Sequence, residues 1–376
     1  MMFKRVAFVF VLVSILVVAV PSAVAQDDTP PPLADLETGV WTSIAPGGDT
    51  VCSNGTPFNF FVRPADPERL LIFLNGGGAC WFAQICDVTS PMVTYVPFAE
   101  LPQNSPEPGS GIFDLANPEN PFADYTMVFV PYCTGDVHLG GGETVYEVPA
   151  SGDTPAREVT IFHNGFANAS SALDWVFDNF DAPDQIFVTG SSAGAIPSPI
   201  YTGIVAEQYP EAEIVQLGDG AGGYRSSQAA VVFSAWHTLD ILPDWPELAD
   251  ETLETLTFED FYIAAASHFP DIAFAQYNTA EDEVQYSFLT LLGETDISLP
   301  EKLEANLADI DAAVDNFRYF TAGGPLHTIL RLPEFYTFAA NGVRIRDWVA
   351  ALASGEPVEN VACQVCDVAE EVEGGS

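Results

Sequence analysis

The segment Gln185-Ile186-Phe187-Val188-Thr189-Gly190-Ser191-Ser192-Ala193-Gly194 joins a run of apolar residues to a Gly-x-Ser-x-Gly motif. The apolar run is typical of a buried strand, and the residues after Gly194 can turn helical. A serine between two such glycines can sit on a sharp turn from strand to helix, with its hydroxyl above the edge of a parallel sheet. Only Ser192 fits this pattern, because Ser191 would need a glycine where Thr189 stands. The segment therefore predicts a strand that leads into a nucleophile elbow.

Four short apolar runs predict strands of a central sheet. They are residues 70–74, 127–131, 185–189 and 213–217. Their β-branched and aromatic composition is typical of parallel strands that are covered on both faces. Between the second and third runs, residues 168–180 place apolar side chains at helical spacing. The alternation of strand and helix indicates an α/β fold, a three-layer sandwich with a mostly parallel central sheet.

The first 25 residues have the three parts of a secretory signal peptide. Lys4 and Arg5 precede an uncharged apolar run, and the small residues Ala23-Val24-Ala25 follow it. The apolar run is short for a membrane span, and no second long run occurs in the chain. The sequence therefore predicts that residues 1–25 are cleaved and that the protein is secreted to the extracellular space in soluble form.

The rest of the chain has no linker-like stretch that would divide it. Residues 26–367 are expected to form a single catalytic domain. The polar, proline-rich lead-in at 27–36 and the acidic tail at 368–376 are expected to be disordered, since neither has enough apolar residues to pack.

Six cysteines in an exported chain allow three disulfide bonds. They are Cys52, Cys80, Cys86, Cys133, Cys363 and Cys366. A zinc site built on the last pair would need a second Cys-x-x-Cys or a nearby pair of histidines, and the sequence offers neither. A thioredoxin-like role is disfavoured because this pair lies in a terminal segment rather than at the start of a helix after a strand. The sequence predicts no metal site.

The protein is strongly acidic, with 53 Asp and Glu against 11 Lys and Arg and a formal net charge of −42. Loss of Lys4 and Arg5 with the signal peptide brings the charge to −44 and leaves Lys302 as the one lysine. Such a surface repels nucleic acid and anionic membranes, so neither is an expected partner. Self-repulsion of this size destabilises a compact domain in dilute salt, whereas concentrated ions screen it. The composition therefore indicates a halophilic protein.

A nucleophilic serine needs a general base, an orienting carboxylate and donors for an oxyanion. Three histidines follow Ser192, namely His237, His268 and His327. His327 ends the glycine-rich loop Gly323-Gly324-Pro325-Leu326-His327 and completes the chain order serine, acid, histidine. The other two have aromatic neighbours in the sequence, which is typical of packed, hydrogen-bonded histidines. We therefore predict that His327 is the base.

Two carboxylates are candidates for the acid. Asp282 lies between Ser192 and His327 in the expected chain order, and Asp219 follows the predicted strand at 213–217. Asp282 could instead start a helix, and Asp219 could be a turn residue. Sequence spacing alone does not separate the two.

The segment Asn75-Gly76-Gly77-Gly78-Ala79 directly follows the predicted strand at 70–74. Its glycines let backbone N–H groups approach a substrate oxygen, and the amide of Ala193 can add another donor. The segment therefore predicts an oxyanion hole. A phosphate-binding P-loop is excluded, because no Gly-Lys-Ser/Thr follows.

Four segments taken together resemble the pectinacetylesterase/Notum family of serine carboxylesterases. They are Leu74-Asn75-Gly76-Gly77-Gly78-Ala79-Cys80-Trp81, Pro131-Tyr132-Cys133-Thr134-Gly135-Asp136-Val137-His138, residues 190–194 and residues 323–327. Their order and approximate spacing match over residues 40–366. The resemblance implies an α/β-hydrolase-like fold and a Ser-Asp-His triad that works without metal or cofactor.

The resemblance also implies roles for individual residues. It implies that Ser192 is the nucleophile and His327 the base, and its acid lies in an Asn-x-x-x-Asp segment that matches Asn278 to Asp282. Asp282 is thereby favoured over Asp219. The implied oxyanion hole is Gly77, Gly78 and Ala193, and the implied disulfides are Cys52 with Cys133 and Cys80 with Cys86, which leaves Cys363 with Cys366.

The chain departs from the family at two positions near the pocket. Gly78-Ala79 stands where plant and animal members have a bulky aromatic residue, and Glu281 stands where they have tyrosine before the acid. The substrate specificity of relatives is therefore not transferred.

Together these features predict a secreted, monomeric serine carboxylic-ester hydrolase of the acetylesterase type. The leading substrate class is O-acetylated polysaccharide, from which water would release acetate. Because the acidic surface would repel a polyanion such as pectin unless salt screens it, neutral acetylated glycans and small acetyl esters are also candidates. The alternatives are a deacylase of longer, lipid-like or polyester substrates, as in Notum-like enzymes, and a non-catalytic binding module on the same fold.

We expect the purified protein to lose its fold and activity on transfer from about 1 M to about 0.01 M salt, because the Debye length grows from about 3 Å to about 30 Å. The acidic groups then repel one another across the whole surface. Circular dichroism and ester hydrolysis at the two salt concentrations measure this change. Equal fold and activity at both would contradict the halophilic interpretation.

Overall fold

A computed structural model of the protein describes residues 29–150 and 155–372, so the predicted signal peptide lies outside the described residues. The strands are β1 (Thr42–Ile44), β2 (Phe60–Arg63), β3 (Asp66–Leu74), β4 (Tyr125–Val130), β5 (Gly142–Val148), β6 (Arg157–His163), β7 (Gln185–Ser191), β8 (Glu213–Asp219), β9 (Phe274–Thr279), β10 (Phe317–Ala322), β11 (Phe338–Ala340), β12 (Val343–Arg344), β13 (Val361–Ala362) and β14 (Glu370–Glu371). The α-helices are α1 (Ala83–Cys86), α2 (Gly165–Asn179), α3 (Ser198–Gln208), α4 (Ala229–Trp236), α5 (Phe258–His268), α6 (Glu283–Leu291), α7 (Leu299–Ala313) and α8 (Ile345–Ala353).

The described residues form a nine-stranded central sheet in the order β1-β2-β4-β3-β7-β8-β9-β10-β13. The β1 and β2 strands join antiparallel at one edge, and all pairs from β4 to β13 are parallel. The four predicted strands correspond to β3, β4, β7 and β8, and the predicted helix corresponds to α2, within a few residues at each end. Their apolar runs identify them because both faces of these strands are buried.

Successive side chains of the central strands face opposite sides of the sheet. In β3, Phe73 packs in the same apolar cluster as Trp348 of α8, whereas Ile72 and Leu74 pack in the cluster that contains Val205 of α3. Helices therefore cover both faces, and the predicted α/β-hydrolase-like, three-layer sandwich is confirmed.

Two segments that were expected to be disordered are ordered where the structure describes them. In the lead-in, the carbonyl of Pro31 accepts a hydrogen bond from Trp175 Nε1 at 2.9 Å. In the acidic tail, Glu370–Glu371 pairs antiparallel with β11. The prediction of disorder is wrong for these parts because an indole donor on α2 and the free edge of β11 supply partners that composition does not show.

Three disulfide bonds join Cys52 with Cys133, Cys80 with Cys86 and Cys363 with Cys366, the pairing stated above. In the part of the chain that the structure describes, one cluster brings three potential metal ligands together, Cys80, Cys86 and His163. Two of these are disulfide-bonded and cannot serve as thiolate ligands. None of the helices in the described ranges has the length and apolar character needed to cross a bilayer.

The Cys52–Cys133 bond joins residues 81 apart in the sequence, whereas Cys363–Cys366 joins residues 3 apart. Because a disulfide restricts the unfolded chain more when it closes a longer loop, we expect Cys52→Ser with Cys133→Ser to lower the free energy of unfolding by about 4 kcal/mol. Cys363→Ser with Cys366→Ser should lower it by about 2 kcal/mol. Urea unfolding in molar salt measures both, and an equal or reversed order would contradict the loop-length explanation.

Candidate active site

The backbone at Ser192 makes the sharp turn that the Gly-x-Ser-x-Gly motif predicts. Ser192 directly follows β7 and has φ +54°, in the left-handed region that serine rarely adopts. A Cβ at Gly190 would collide with the carbonyl of Gly194, and one at Gly194 would collide with the carbonyl of Leu74. The two glycines are therefore required by contact between backbones, and the turn projects the Ser192 hydroxyl beyond the carboxyl edge of the sheet.

Two hydrogen bonds join Ser192, His327 and Asp282. His327 Nε2 lies 2.7 Å from Ser192 Oγ, and His327 Nδ1 lies 2.7 Å from Asp282 Oδ2. Asp282 follows β9 and His327 follows β10, and both strands are parallel to β7. The carboxyl ends of these strands meet at one edge of the sheet, where catalytic groups of open α/β folds gather. The structure therefore brings together the serine, histidine and acid that the sequence analysis favoured.

Asp282 also begins α6. Its side chain is fully buried, and Oδ1 accepts hydrogen bonds from the backbone N–H groups of Val284 at 2.9 Å and Gln285 at 3.0 Å. The side-chain amide of Gln285 donates to Oδ2 at 2.9 Å. The alternative that Asp282 starts a helix is thus also correct, because the residue caps the helix with one oxygen and contacts His327 with the other.

Asp219 has different partners. It ends β8, and its Oδ2 accepts a hydrogen bond from Ser191 Oγ at 2.6 Å. The backbone N–H groups of Ile329 and Leu330 also donate to its carboxylate, each at 3.0 Å. Complete burial raises the pKa of Asp219 to about 6, because desolvation outweighs the effect of these donors. The hydrogen-bonded partner of His327 is therefore Asp282 rather than Asp219.

The glycine loop, residues 75–79, lies beside the turn at Ser192. A Cβ at Gly76 would lie 2.8 Å from the Cβ of Ser192. Gly78 has φ +81°, and a Cβ there would collide with the carbonyl of Thr94. Within the described ranges, no acceptor is assigned to the backbone N–H groups of Gly77, Gly78 and Ala193. These three donors remain available to an oxygen bound next to Ser192.

The other histidines after Ser192 have partners elsewhere. His268 Nδ1 lies 2.9 Å from Glu247 Oε2, and its ring stacks on Trp245. His237 Nε2 lies 3.2 Å from Thr144 Oγ1, and its side chain is 41% exposed. The interpretation of His268 as a hydrogen-bonded, packed histidine agrees with these contacts, whereas His237 is not packed in the core.

An apolar pocket opens beside Ser192, and the sequence analysis did not find it. The empty space in and in front of it, including the solvent at its mouth, is about 430 Å³. Its lining residues are Gly78, Ala79, Trp81, Val137, Ser192, Ala193, Ile196, Tyr224, Val232, Trp236, Phe258, Phe288 and Leu292. These residues come from the glycine loop, α4, α5, α6 and the segments between them. In the sequence they are indistinguishable from core residues, because each is apolar or small and they are spread over more than 200 positions.

The sequence of this chain is similar to a known protein family. A family model described as Pectinacetylesterase matches residues 42–238, just over half of the chain. This region contains Ser192 and the glycine loop, whereas Asp282 and His327 lie beyond it.

Curated relatives carry the Notum name. Palmitoleoyl-protein carboxylesterase notum1a of Danio rerio is 34% identical over 146 residues, which are 38% of this chain and 27% of the relative. Palmitoleoyl-protein carboxylesterase NOTUM of Homo sapiens is 26% identical over 176 residues, 45% of this chain and 33% of the relative. Inactive palmitoleoyl-protein carboxylesterase notum1b of Danio rerio is 32% identical over 111 residues, 28% of this chain and 76% of the relative.

The chain thus spans about a third or less of the length of the first two relatives. With a family model over more than half of its residues, this chain belongs to the pectinacetylesterase family.

Proposed function

We propose that the protein is a secreted serine carboxylesterase with Ser192 as nucleophile, His327 as general base and Asp282 as the carboxylate that orients His327. The observation that carries this proposal is the continuous hydrogen-bonded chain from Ser192 Oγ through both ring nitrogens of His327 to Asp282, with two distances of 2.7 Å. Family membership alone does not decide the activity, because one matching relative is named as inactive.

In the first half-reaction, Ser192 Oγ attacks the acyl carbonyl carbon while His327 Nε2 takes the hydroxyl proton. The N–H groups of Gly77, Gly78 and Ala193 donate to the oxygen that becomes negative in the tetrahedral intermediate. As the carbon–oxygen bond to the alcohol breaks, His327 returns the proton to the leaving oxygen. The products are the free alcohol and an acyl group on Ser192.

In the second half-reaction, water attacks the acyl carbon and His327 Nε2 accepts its proton. The intermediate collapses, the proton goes back to Ser192 Oγ, and the carboxylic acid leaves. Asp282 stays ionised and stabilises the imidazolium form of His327 in both steps. Its bonds to the backbone of α6 fix the carboxylate, so the imidazole keeps one orientation through the cycle.

The pocket supports an apolar acyl chain longer than acetyl. Trp81, Val232 and Phe288 present apolar surface next to Ser192, and burial of a methylene group contributes about 0.8 kcal/mol. Deacylation of polysaccharide acetyl esters is the second candidate, since the family model bears the name Pectinacetylesterase.

The disulfides support an assignment of the cellular compartment, and the net charge supports an assignment of the substrate class. Three disulfides among the described residues are typical of an oxidising, extracellular compartment and support secretion. A net charge of −42 for the full chain favours neutral rather than polyanionic substrates at low salt. We propose that the mature protein acts as a monomer, without nucleic acid or membrane as a partner.

Substitution of the three residues should separate their roles. Ser192→Ala or His327→Ala should lower kcat for p-nitrophenyl esters on the order of 10⁶-fold, and Asp282→Asn on the order of 10⁴-fold. In the Asp282→Asn variant the amide oxygen can still cap α6, but the amide NH₂ faces His327 Nδ1 and favours the wrong tautomer. Unchanged turnover in Ser192→Ala would refute Ser192 as the nucleophile, whereas absence of turnover in the wild type would refute the esterase proposal and leave the binding-module alternative.

Acyl-chain length should discriminate between the two candidate substrates. We expect kcat/KM for p-nitrophenyl esters to rise by about two- to fourfold per methylene from acetyl to octanoyl, because each methylene enters the apolar pocket. A higher kcat/KM for acetyl than for octanoyl would favour the acetylesterase candidate instead.

Two adjacent valines on α4 allow a test of whether the pocket causes the preference for longer acyl chains. Val232 lines the pocket and is 2% exposed, whereas Val231 is 52% exposed on the same helix. Val232→Trp should fill the pocket and lower kcat/KM for octanoyl at least about tenfold, with acetyl changed less than about threefold. Val231→Trp is the matched control. Equal effects of both variants on octanoyl hydrolysis would show that the chain does not bind in this pocket.

A further inference from the structure

The loop that follows His327 is held on both sides by polar side chains, one buried and one half-buried, that do not take part in the reaction proposed above. Asp219 lies on one side, and Arg331, four residues after His327, lies on the other. Each connects this loop to a different part of the site.

Asp219 connects the loop to the nucleophile turn. Its carboxylate accepts from Ser191, the residue before Ser192, and from the backbone of Ile329 and Leu330, two and three residues after His327. All these donors reach one fully buried side chain at the end of β8. A single carboxylate therefore fixes the segment that bears the nucleophile relative to the segment that bears the base.

Arg331 connects the same loop to the glycine loop. Its guanidinium donates to Asn75 Oδ1 at 2.6 Å and to the carbonyls of Gln103 at 3.0 Å and Ser105 at 2.6 Å. It also lies over the ring of Phe129, 5.1 Å from the centroid. In a chain so rich in carboxylates, neutral oxygens are the acceptors of this arginine. Such neutral acceptors are typical of an arginine whose role is to hold several groups in a fixed geometry rather than to neutralise a negative charge.

Asn75 is itself fixed from several directions. Its side-chain NH₂ donates to Asn104 Oδ1 at 2.9 Å, and its backbone carbonyl lies 2.9 Å from Nε2 of the buried His138. Asn75 is the first residue of the glycine loop, two positions before Gly77. Arg331 thus anchors the loop after His327 to the rigid start of the segment that supplies the oxyanion donors.

We infer that Asp219 and Arg331 are positioning residues that hold His327 in register with Ser192 and with the glycine loop. The inference rests on the proposed esterase function. Neither side chain lines the pocket or hydrogen-bonds to His327, so both act by fixing the segments that bear Ser192, His327 and the oxyanion donors. Because proton transfer depends steeply on the distance between Nε2 and Oγ, a displacement of a few tenths of an ångström slows chemistry without changing substrate binding.

The variants Asp219→Asn and Arg331→Met test the inference. Asp219→Asn replaces one carboxylate oxygen, which accepts hydrogen bonds from backbone N–H groups, with an amide NH₂, which cannot accept them. Arg331→Met keeps an apolar side chain but removes the donors to Asn75. We expect each to lower kcat for p-nitrophenyl octanoate about tenfold with KM within about twofold. The rate at which a phosphonofluoridate modifies Ser192 should fall by a similar factor, because this reaction also needs the base but not the acyl pocket.

Two variants away from the site serve as matched controls. Asp87 is a buried carboxylate that accepts from Thr89 and pairs with Arg157, and Arg69 pairs with Asp124 while lying over the ring of Tyr125. Asp87→Asn and Arg69→Met should lower the thermal unfolding temperature but leave kcat unchanged. If Asp219 and Arg331 only contribute to stability, their variants should behave like these two controls, with a lower unfolding temperature and an unchanged kcat.

The outcomes are distinguishable. An unchanged kcat in Asp219→Asn and Arg331→Met, with only the unfolding temperature lowered, overturns the inference and leaves the esterase proposal intact. Absence of turnover in the wild type overturns the esterase proposal itself. If Asp219→Asn does not fold, Ser191→Ala removes one of its hydrogen bonds, and we expect a two- to fivefold lower kcat. A wild-type kcat in that variant counts against the inference.

Discussion

The turn at Ser192 packs against the glycine loop with no room for a side chain at the contact. A Cβ at Gly194 would collide with the carbonyl of Leu74, and one at Gly76 would lie 2.5 Å from the carbonyl oxygen of Ser191. This approach follows from the sheet, because Leu74 of β3 is the direct parallel partner of Gly190 of β7. Both strands end at the same edge, and their continuations must pass each other. The backbone N–H groups of one loop are thereby placed beside the hydroxyl of the other, without a flexible side chain between them.

The centre of the sheet was predictable because its strands are almost purely apolar. The β3, β4, β7 and β8 strands are buried on both faces. Such strands are recognised in a sequence by a continuous run of apolar residues. The β9 and β10 strands lie in the same sheet but were not predicted. They carry Gln276, Asn278, Arg318 and Thr321 among their apolar residues, and these interrupt the run. Asn278 and Thr321 lie near the carboxyl ends of their strands, close to the site, whereas Arg318 lies near the opposite end of β10.

The acid could not be chosen from spacing because Asp219 and Asp282 share the same local setting. Each lies at or just after the carboxyl end of a parallel strand. Their difference is tertiary, since the loop after β10 turns the ring of His327 toward Asp282 and its own backbone toward Asp219. The resemblance favoured Asp282, and the hydrogen bonds agree with that choice. The apolar pocket was missed for a related reason, because apolar residues that line a cavity and those that fill a core have the same composition.

Asp282 connects the orientation of the catalytic histidine with the shape of the acyl pocket. Its carboxylate caps α6 and contacts His327, and the same helix carries Phe288 to the pocket wall. A change that shifts or rotates α6 to admit a different acyl group also moves the cap, and with it the histidine. Substitutions that change the preferred substrate should therefore disturb catalysis less in α4 or at Trp81, which line the pocket without touching the acid. In an engineered or evolving member of the family, diversity of the pocket should accumulate on those walls while α6 stays nearly constant.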